Sequence, residues 1–285
     1  MQITKLKYYA YLMRLDKPVG ILLLLWPTLW ALWLASDGKP NLLILAVFVM
    51  GVVLMRSAGC VINDFADRRI DGKVRRTQHR PLATAKVSVK EAMVLFGLLS
   101  LCAFGLVCLL NSYTITLSII GLVLTVVYPF MKRFTHLPQC GLGVAFSWGV
   151  PMAFAAETQI VPWSAWLVFL TAAIWPVIYD TLYAITDRED DLSIGVKSTA
   201  VLFAENDRWL IGLLQIGFML GLVSIGLVFH LQIGYFFCLF LVGILFCYQQ
   251  YLIQDRDPQM AFKAFLNNQW VGLIIFLGIV WSKMT

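Results

Sequence analysis

Apolar stretches long enough to cross about 30 Å of hydrocarbon recur along almost the whole of this chain. They fall near 19–36, 42–62, 91–110, 112–131, 138–156, 162–183, 209–229, 231–250 and 266–284. A membrane interior leaves few solutions for so many spans, because backbone polar groups in lipid must be satisfied within the protein. The expectation is an all-α membrane protein, a bundle of about nine transmembrane helices forming one domain over residues 1–285. Composition excludes the soluble alternative: 60% of residues are hydrophobic and only 13% charged, against roughly a quarter charged in ordinary globular chains.

The distribution of Lys and Arg sets the topology. With the N-terminus inside, four precede the first span and eight lie between Arg68 and Lys90. Lys132 and Arg133 follow the fourth span, Arg188, Lys197 and Arg208 the sixth, and Arg256 and Lys263 the eighth. Only Lys39 and Lys283 fall outside, and Arg56 lies within the second span. The net charge of +6 therefore reflects membrane topology and calls for no nucleic-acid partner. No cleaved leader is expected, since four basic residues precede the first apolar run and further runs follow. Leu6 to Leu15 reads either as a short interfacial helix or as a frayed cytoplasmic tail. The six cysteines form no C-x-x-C pair and are expected to be free, buried, small hydrophobes. His79, His136 and His230 show no metal-ligand spacing.

Most acidic residues sit in two long inside loops. The first opens with Asn63, Asp64, Asp67, Arg68 and Asp71. If the second span continues as a helix, Asn63, Asp67 and Asp71 share one face, with Asp64 beside them. Like charges one turn apart repel. A divalent cation would offset this, and magnesium prefers such hard oxygen ligands, often shared with phosphates. The second loop repeats the pattern with Tyr183, Asp187 and Asp191. Asp67-Arg68-x-x-Asp71 recurs as Asp187-Arg188-x-x-Asp191, 120 residues later and four spans on. Two parallel four-helix halves plus one added helix follow from that repeat. Arg56 and Asp180 each lie two turns before a motif, inside a span. Charges there are costly, so a polar cavity reaching in from the cytoplasmic side is expected.

Basic residues flank both motifs. A diphosphate suits Lys and Arg donors, but positive-inside topology alone also places cations there. For Lys73, Arg75 and Arg76 the two readings stand level; for Lys132, Arg133 and Lys197, beside the site helices, a functional role is favoured. No Ser-His-Asp or Cys-His arrangement suggests a covalent nucleophile. A secondary transporter would need spans broken at matching positions in both halves. Trp175-Pro176 is one such break, and the first half has no counterpart.

The patterns Asn63-Asp-x-x-Asp67-x-x-x-Asp71 and Asp187-x-x-x-Asp191 resemble the two signatures of the UbiA-type membrane prenyltransferases. Tyr128-x-x-x-Lys132 resembles a third family element. Arg14-Leu-Asp16-Lys17-Pro18, Tyr128-Pro-Phe-Met-Lys-Arg133 and Phe262-Lys-Ala-Phe265 are similar to the branch acting on 4-hydroxybenzoate. The resemblance covers essentially the whole chain. It implies magnesium-dependent transfer of a polyprenyl group from polyprenyl diphosphate to 4-hydroxybenzoate, in ubiquinone biosynthesis at the bacterial inner membrane. It implies that Asn63, Asp67, Asp71, Asp187 and Asp191 hold the diphosphate through magnesium, with Asp67, Asp71, Asp187, Asp191 and Arg133 catalytic. Asp64, Arg68, Tyr128, Lys132, Tyr183 and Lys197 are then expected to contact substrate along with Asn63.

Overall fold

The computed structural model describes residues 2–284, with side chains from residue 5, and contains no strand among them. Seven helices are long and apolar enough to cross a membrane, and Val19–Ala35 is a shorter apolar one. In chain order the helices are α1 Gln2–Leu12, α2 Val19–Ala35, α3 Leu42–Asp67, α4 Val89–Val107, α5 Ser112–Val127, α6 Pro138–Ser147, α7 Gly149–Thr158 and α8 Trp163–Ile185. Then come the short α9 Arg188–Ile194 and α10 Thr199–Phe203, followed by α11 Asp207–Val228, α12 Ile233–Leu252 and α13 Pro258–Met284. The nine expected spans are recognisable, with two differences. The fifth is a pair of ten-residue helices, α6 and α7, joined at Trp148. The ninth begins earlier than expected, at Pro258.

Local chemistry sets the boundaries. Asn41 starts α3 by accepting from the Leu43 and Ile44 amides at 2.9 and 3.4 Å. Ser88 and Glu91 form a reciprocal capping box on α4. Asn111 separates α4 from α5, accepting from the Thr114 amide at 2.9 Å. Each cap satisfies a helix-terminal N–H that would otherwise be stranded. The opening segment is a helix and is docked rather than frayed: Leu12 is fully buried against Val61, Leu82, Val87 and Ala92.

α8 is the hub. Of its most apolar stretch 72% is buried within the protein, against 11% for α4 and 17% for the α5 span. Small residues let neighbours close on it: a Cβ at Gly143 would meet the Ala173 carbonyl at 2.2 Å, and one at Gly221 the Thr171 hydroxyl at 2.5 Å. Close backbone approach of this kind is how helices pack where lipid supplies no hydrophobic drive. Trp175 of α8 donates to Asn268 of α13 at 2.9 Å and stacks on Phe218 of α11. All six cysteines are free, as expected; only Cys60 and Cys238 are buried, and the others lie on outer faces.

Candidate active site

The helices carrying the two motifs, α3 and α8, end on the same side of the bundle. The contacts across their following loops establish this: the Arg75 amide donates to Asp190 Oδ2 at 2.9 Å, and Arg76 Nε to Asp187 Oδ1 at 2.9 Å. Neither motif is one continuous helical face. α3 stops at Asp67, and Asp71 opens a 3₁₀ turn, Asp71–Lys73. α8 stops at Ile185; Asp187 is non-helical (φ −107°, ψ 3°), and a fresh helix begins at Arg188. Stacked carboxylates would repel on an unbroken helix, and the turns separate them and bring Arg80 to Asp71 and Arg76 to Asp187.

In the first motif the acids are buried and paired. Asp64 accepts from Arg14 at 2.8 Å and lies 3.0 Å from Arg80. Asp71 accepts from Arg80 at 3.0 Å on both oxygens. Asp67 pairs with Lys132, delivered by the 3₁₀ helix Tyr128–Arg133. In the second motif Asp187 pairs with Arg76, which also donates to the Tyr183 hydroxyl and lies over its ring, 4.4 Å from the centroid. Phe262 and Phe265 of α13 flank that ring at 6.1 and 4.8 Å. Asp191 and Lys197 are half-buried nearby, Lys197 3.4 Å from the Phe134 carbonyl.

Several expected contacts do not join this cluster. Arg68 turns back onto Phe65, donating to its carbonyl at 2.6 Å and covering its ring. Its counterpart Arg188 pairs with Asp207. Arg133 donates to the Ala66 carbonyl at 2.6 Å, closing the end of α3, and rests on Phe130. Asp64 does join it, fully buried between Arg80 and Arg14 and anchoring both. Conversely, Arg76 and Arg80 are central. Their positions in a basic inside loop had given no means to separate them from ordinary topogenic charge.

The mouth opens into a cavity of about 800 Å³. Its polar end is lined by Asn63, Asp64, Arg76, Arg80, Asp180 and Tyr183, and its far end by Thr28, Val47, Phe48, Phe104 and Trp148. Along α3, Val47 to Asp64 rises about 25 Å at 1.5 Å per residue. The expected polar entry from the motif side is present, and Tyr128, Arg56 and Asp180 line it.

Among the described residues, no three acidic, histidine or cysteine side chains stand close enough to hold a metal ion by themselves. The donors nonetheless fit a hard cation shared with phosphate oxygens. Asp67 Oδ1 and Asp64 Oδ2 are buried without a hydrogen-bond partner. Burial pushes the Asp71 carboxyl up to about 6 despite Arg80, and burial together with Asp187 pushes Asp191 up to about 7.

A profile described as the UbiA prenyltransferase family matches residues 24–277. A 4-hydroxybenzoate octaprenyltransferase of Coxiella burnetii (strain RSA 493 / Nine Mile phase I) is 57% identical over 278 residues, covering 97% of this chain and 96% of the relative. One of Vibrio vulnificus (strain CMCP6) is 54% identical, with 98% of each chain covered. Among solved structures, an apo UbiA homolog from Aeropyrum pernix K1 superposes with a TM-score of 0.79 at 26% identity, covering 92% of this chain and 96% of that one. A UbiA homolog from Archaeoglobus fulgidus bound to GPP and Mg2+ shares the fold, with a TM-score of 0.74 at 17% identity, covering 96% and 99%.

Proposed function

The chain belongs to the UbiA prenyltransferase family, and on that premise we propose that it transfers a polyprenyl group from polyprenyl diphosphate to the ring of 4-hydroxybenzoate, ortho to the hydroxyl. Diphosphate is released, and the product enters ubiquinone biosynthesis. The observation that carries this reading is the junction of two acidic motifs, through basic residues, at the mouth of a long apolar cavity. We place that mouth at the cytoplasmic face of the inner membrane, where the inside loops concentrate positive charge.

Asn63, Asp67, Asp71, Asp187 and Asp191 would hold magnesium, which when bound neutralises charge on the departing diphosphate. Lys132 and Arg76 each sit on a motif carboxylate and would supply N–H donors to phosphate oxygens. Such fixed donors stabilise the leaving group as the allylic C–O bond breaks. Tyr128 and Tyr183 present rings toward the carbocation that forms, and the apolar walls exclude the water that would quench it. The phenol ring attacks that cation ortho to its hydroxyl, and loss of the ring proton restores aromaticity.

Membranes containing the protein, given labelled 4-hydroxybenzoate and a long-chain polyprenyl diphosphate, test this directly. Magnesium-dependent label in the lipid extract is expected. Asp67→Asn or Asp187→Asn is expected to cut the rate by roughly 10²–10³-fold, the range for removing one preorganised electrostatic group. Diphosphate release without labelled lipid would discard the acceptor.

A further inference from the structure

Asp207 is a buried carboxylate that belongs to neither acidic motif. It opens α11 and is 1% exposed. Arg188 donates to its Oδ2, and Arg256 Nε donates to its Oδ1 at 3.0 Å. Arg188 comes from the second motif, and Arg256 from the loop between α12 and α13. Positive-inside topology places both arginines in inside loops, but it puts no buried acid between them. A carboxylate this dry persists only where cations hold it, so the contact fixes both segments that supply them.

The motif segment has little else to fix it. α9 has seven residues and buries none of them, so packing does not set its rotation about its own axis. The Asp191 amide donates to the Asp187 carbonyl at 2.9 Å, which puts both acids on one turn. Arg188 lies one residue past Asp187, about 100° further round that turn. Anchoring its side chain therefore sets the direction in which the two carboxylates face. Arg75 and Arg76 hold the motif through Asp190 and Asp187, carboxylates of the motif itself. The contact of Arg188 with Asp207 engages no motif carboxylate and leaves Asp187 and Asp191 free for a metal. At the other segment, Arg256 adopts φ 54°, a conformation unfavourable to a residue with a side chain, and its Nη2 donates to the Glu205 carbonyl. Two residues on, α13 starts at Pro258 and brings Phe262 and Phe265 to the Tyr183 ring.

We propose that Asp207 is a positioning residue: through Arg188 it sets the direction in which Asp187 and Asp191 offer their oxygens to magnesium, and through Arg256 it ties that direction to the aromatic side chains on α13. This rests on the reading of Asp187 and Asp191 as metal ligands and adds to it the residue that aims them. Partners one contact removed from a metal tune its affinity by orienting the ligands.

Thermal unfolding of the purified protein in detergent reads metal binding without turnover. It is followed against magnesium at a fixed level of an unreactive thio-analogue of geranyl diphosphate, since a ligand that binds the folded state raises its stability. Asp207→Asn is expected to raise the magnesium midpoint by ~10- to 100-fold, the range for a partner one contact removed from a metal. Initial rates show the same shift, while KM for 4-hydroxybenzoate stays within about twofold, because the loss is confined to the metal. Should Asp207→Asn fail to accumulate, Arg188→Gln, which leaves Asp207 paired with Arg256, is expected to move the midpoint in the same direction, and Arg188→Lys to recover part of it. An unmoved midpoint, with stability or kcat lowered equally at every magnesium level, makes the pair merely structural and overturns the proposal. Wild type whose stability and rate both ignore magnesium overturns the metal-ligand reading of Asp187 and Asp191, and this inference with it.

Discussion

The two acidic motifs share five residues of pattern and differ in what neutralises them. The first is buried: Asp64, Asp67 and Asp71 are at most 4% exposed. Their cations are Arg14, Arg80 and Lys132, drawn from three separate segments. In the second, Asp187 and Asp191 are only half-buried and Glu189 is exposed, and the cations reaching it come from the loop that follows the first motif. One motif is thus a fixed platform tied into the fold, while the other is held to it by Arg75 and Arg76. The sequence repeat makes the halves equivalent in carboxylates alone; their electrostatic settings were built separately.

Breaking the platform is expected to have the largest effect. Arg80→Ala leaves Asp64 and Asp71 short of their shared cation in a dry setting, and loss of one partner from a buried pair costs about 3–5 kcal/mol. Thermal unfolding in detergent is expected to shift down by several degrees, whereas Asp190→Ala, at the looser motif, shifts it little. Next, Arg76→Gln cuts the tie between motifs and removes the proposed phosphate donor. A fall in kcat/KM of roughly 10- to 100-fold, without loss of thermal stability, is the expected signature. Stability lost in step with activity would make Arg76 part of the platform instead.

A smaller effect comes from protons. Burial pushes the Asp71 carboxyl up to about 6 and that of Asp191 up to about 7. A cation needs the ionised forms, so protons compete below those values and lose as pH rises through them. Apparent magnesium affinity in a titration is expected to rise by more than about tenfold per pH unit below pH 6, where two protons compete, by up to about tenfold between 6 and 7, and then to level off. Asp191→Asn should move the levelling point down. The smallest effect is Arg68→Gln, expected to leave activity within about twofold, because that side chain serves Phe65 and not the cluster.

Much of this was legible in the residues. Apolar length and charge asymmetry located the spans, since lipid constrains both directly. The carboxylate spacing identified the motifs. The pairing of Arg76 and Arg80 was hidden, because a loop rich in Arg satisfies the positive-inside pattern whatever its side chains touch. The break of α8 at Thr186 and Asp187 was hidden too, since nothing in D-R-E-D-D forbids a continuing helix. Arg68 misled for the opposite reason: it repeats with the aspartates, yet its neighbour Phe65 offers a nearer place to rest.

The cavity has one further consequence. Its deep end runs to Val107, Ile119 and Leu122, on the two least enclosed helices, α4 and α5, and Phe104 and Leu122 there are partly open to lipid. Only the first few isoprene units of a long donor lie within about 25 Å of the mouth. The remainder trails among acyl chains, where one more unit meets the same surroundings as the last. Such an enzyme reads the head of its donor and leaves the tail uncounted. On that geometry the transferase is expected to accept polyprenyl diphosphates of different lengths at similar rates, which competition between donors of two lengths would check.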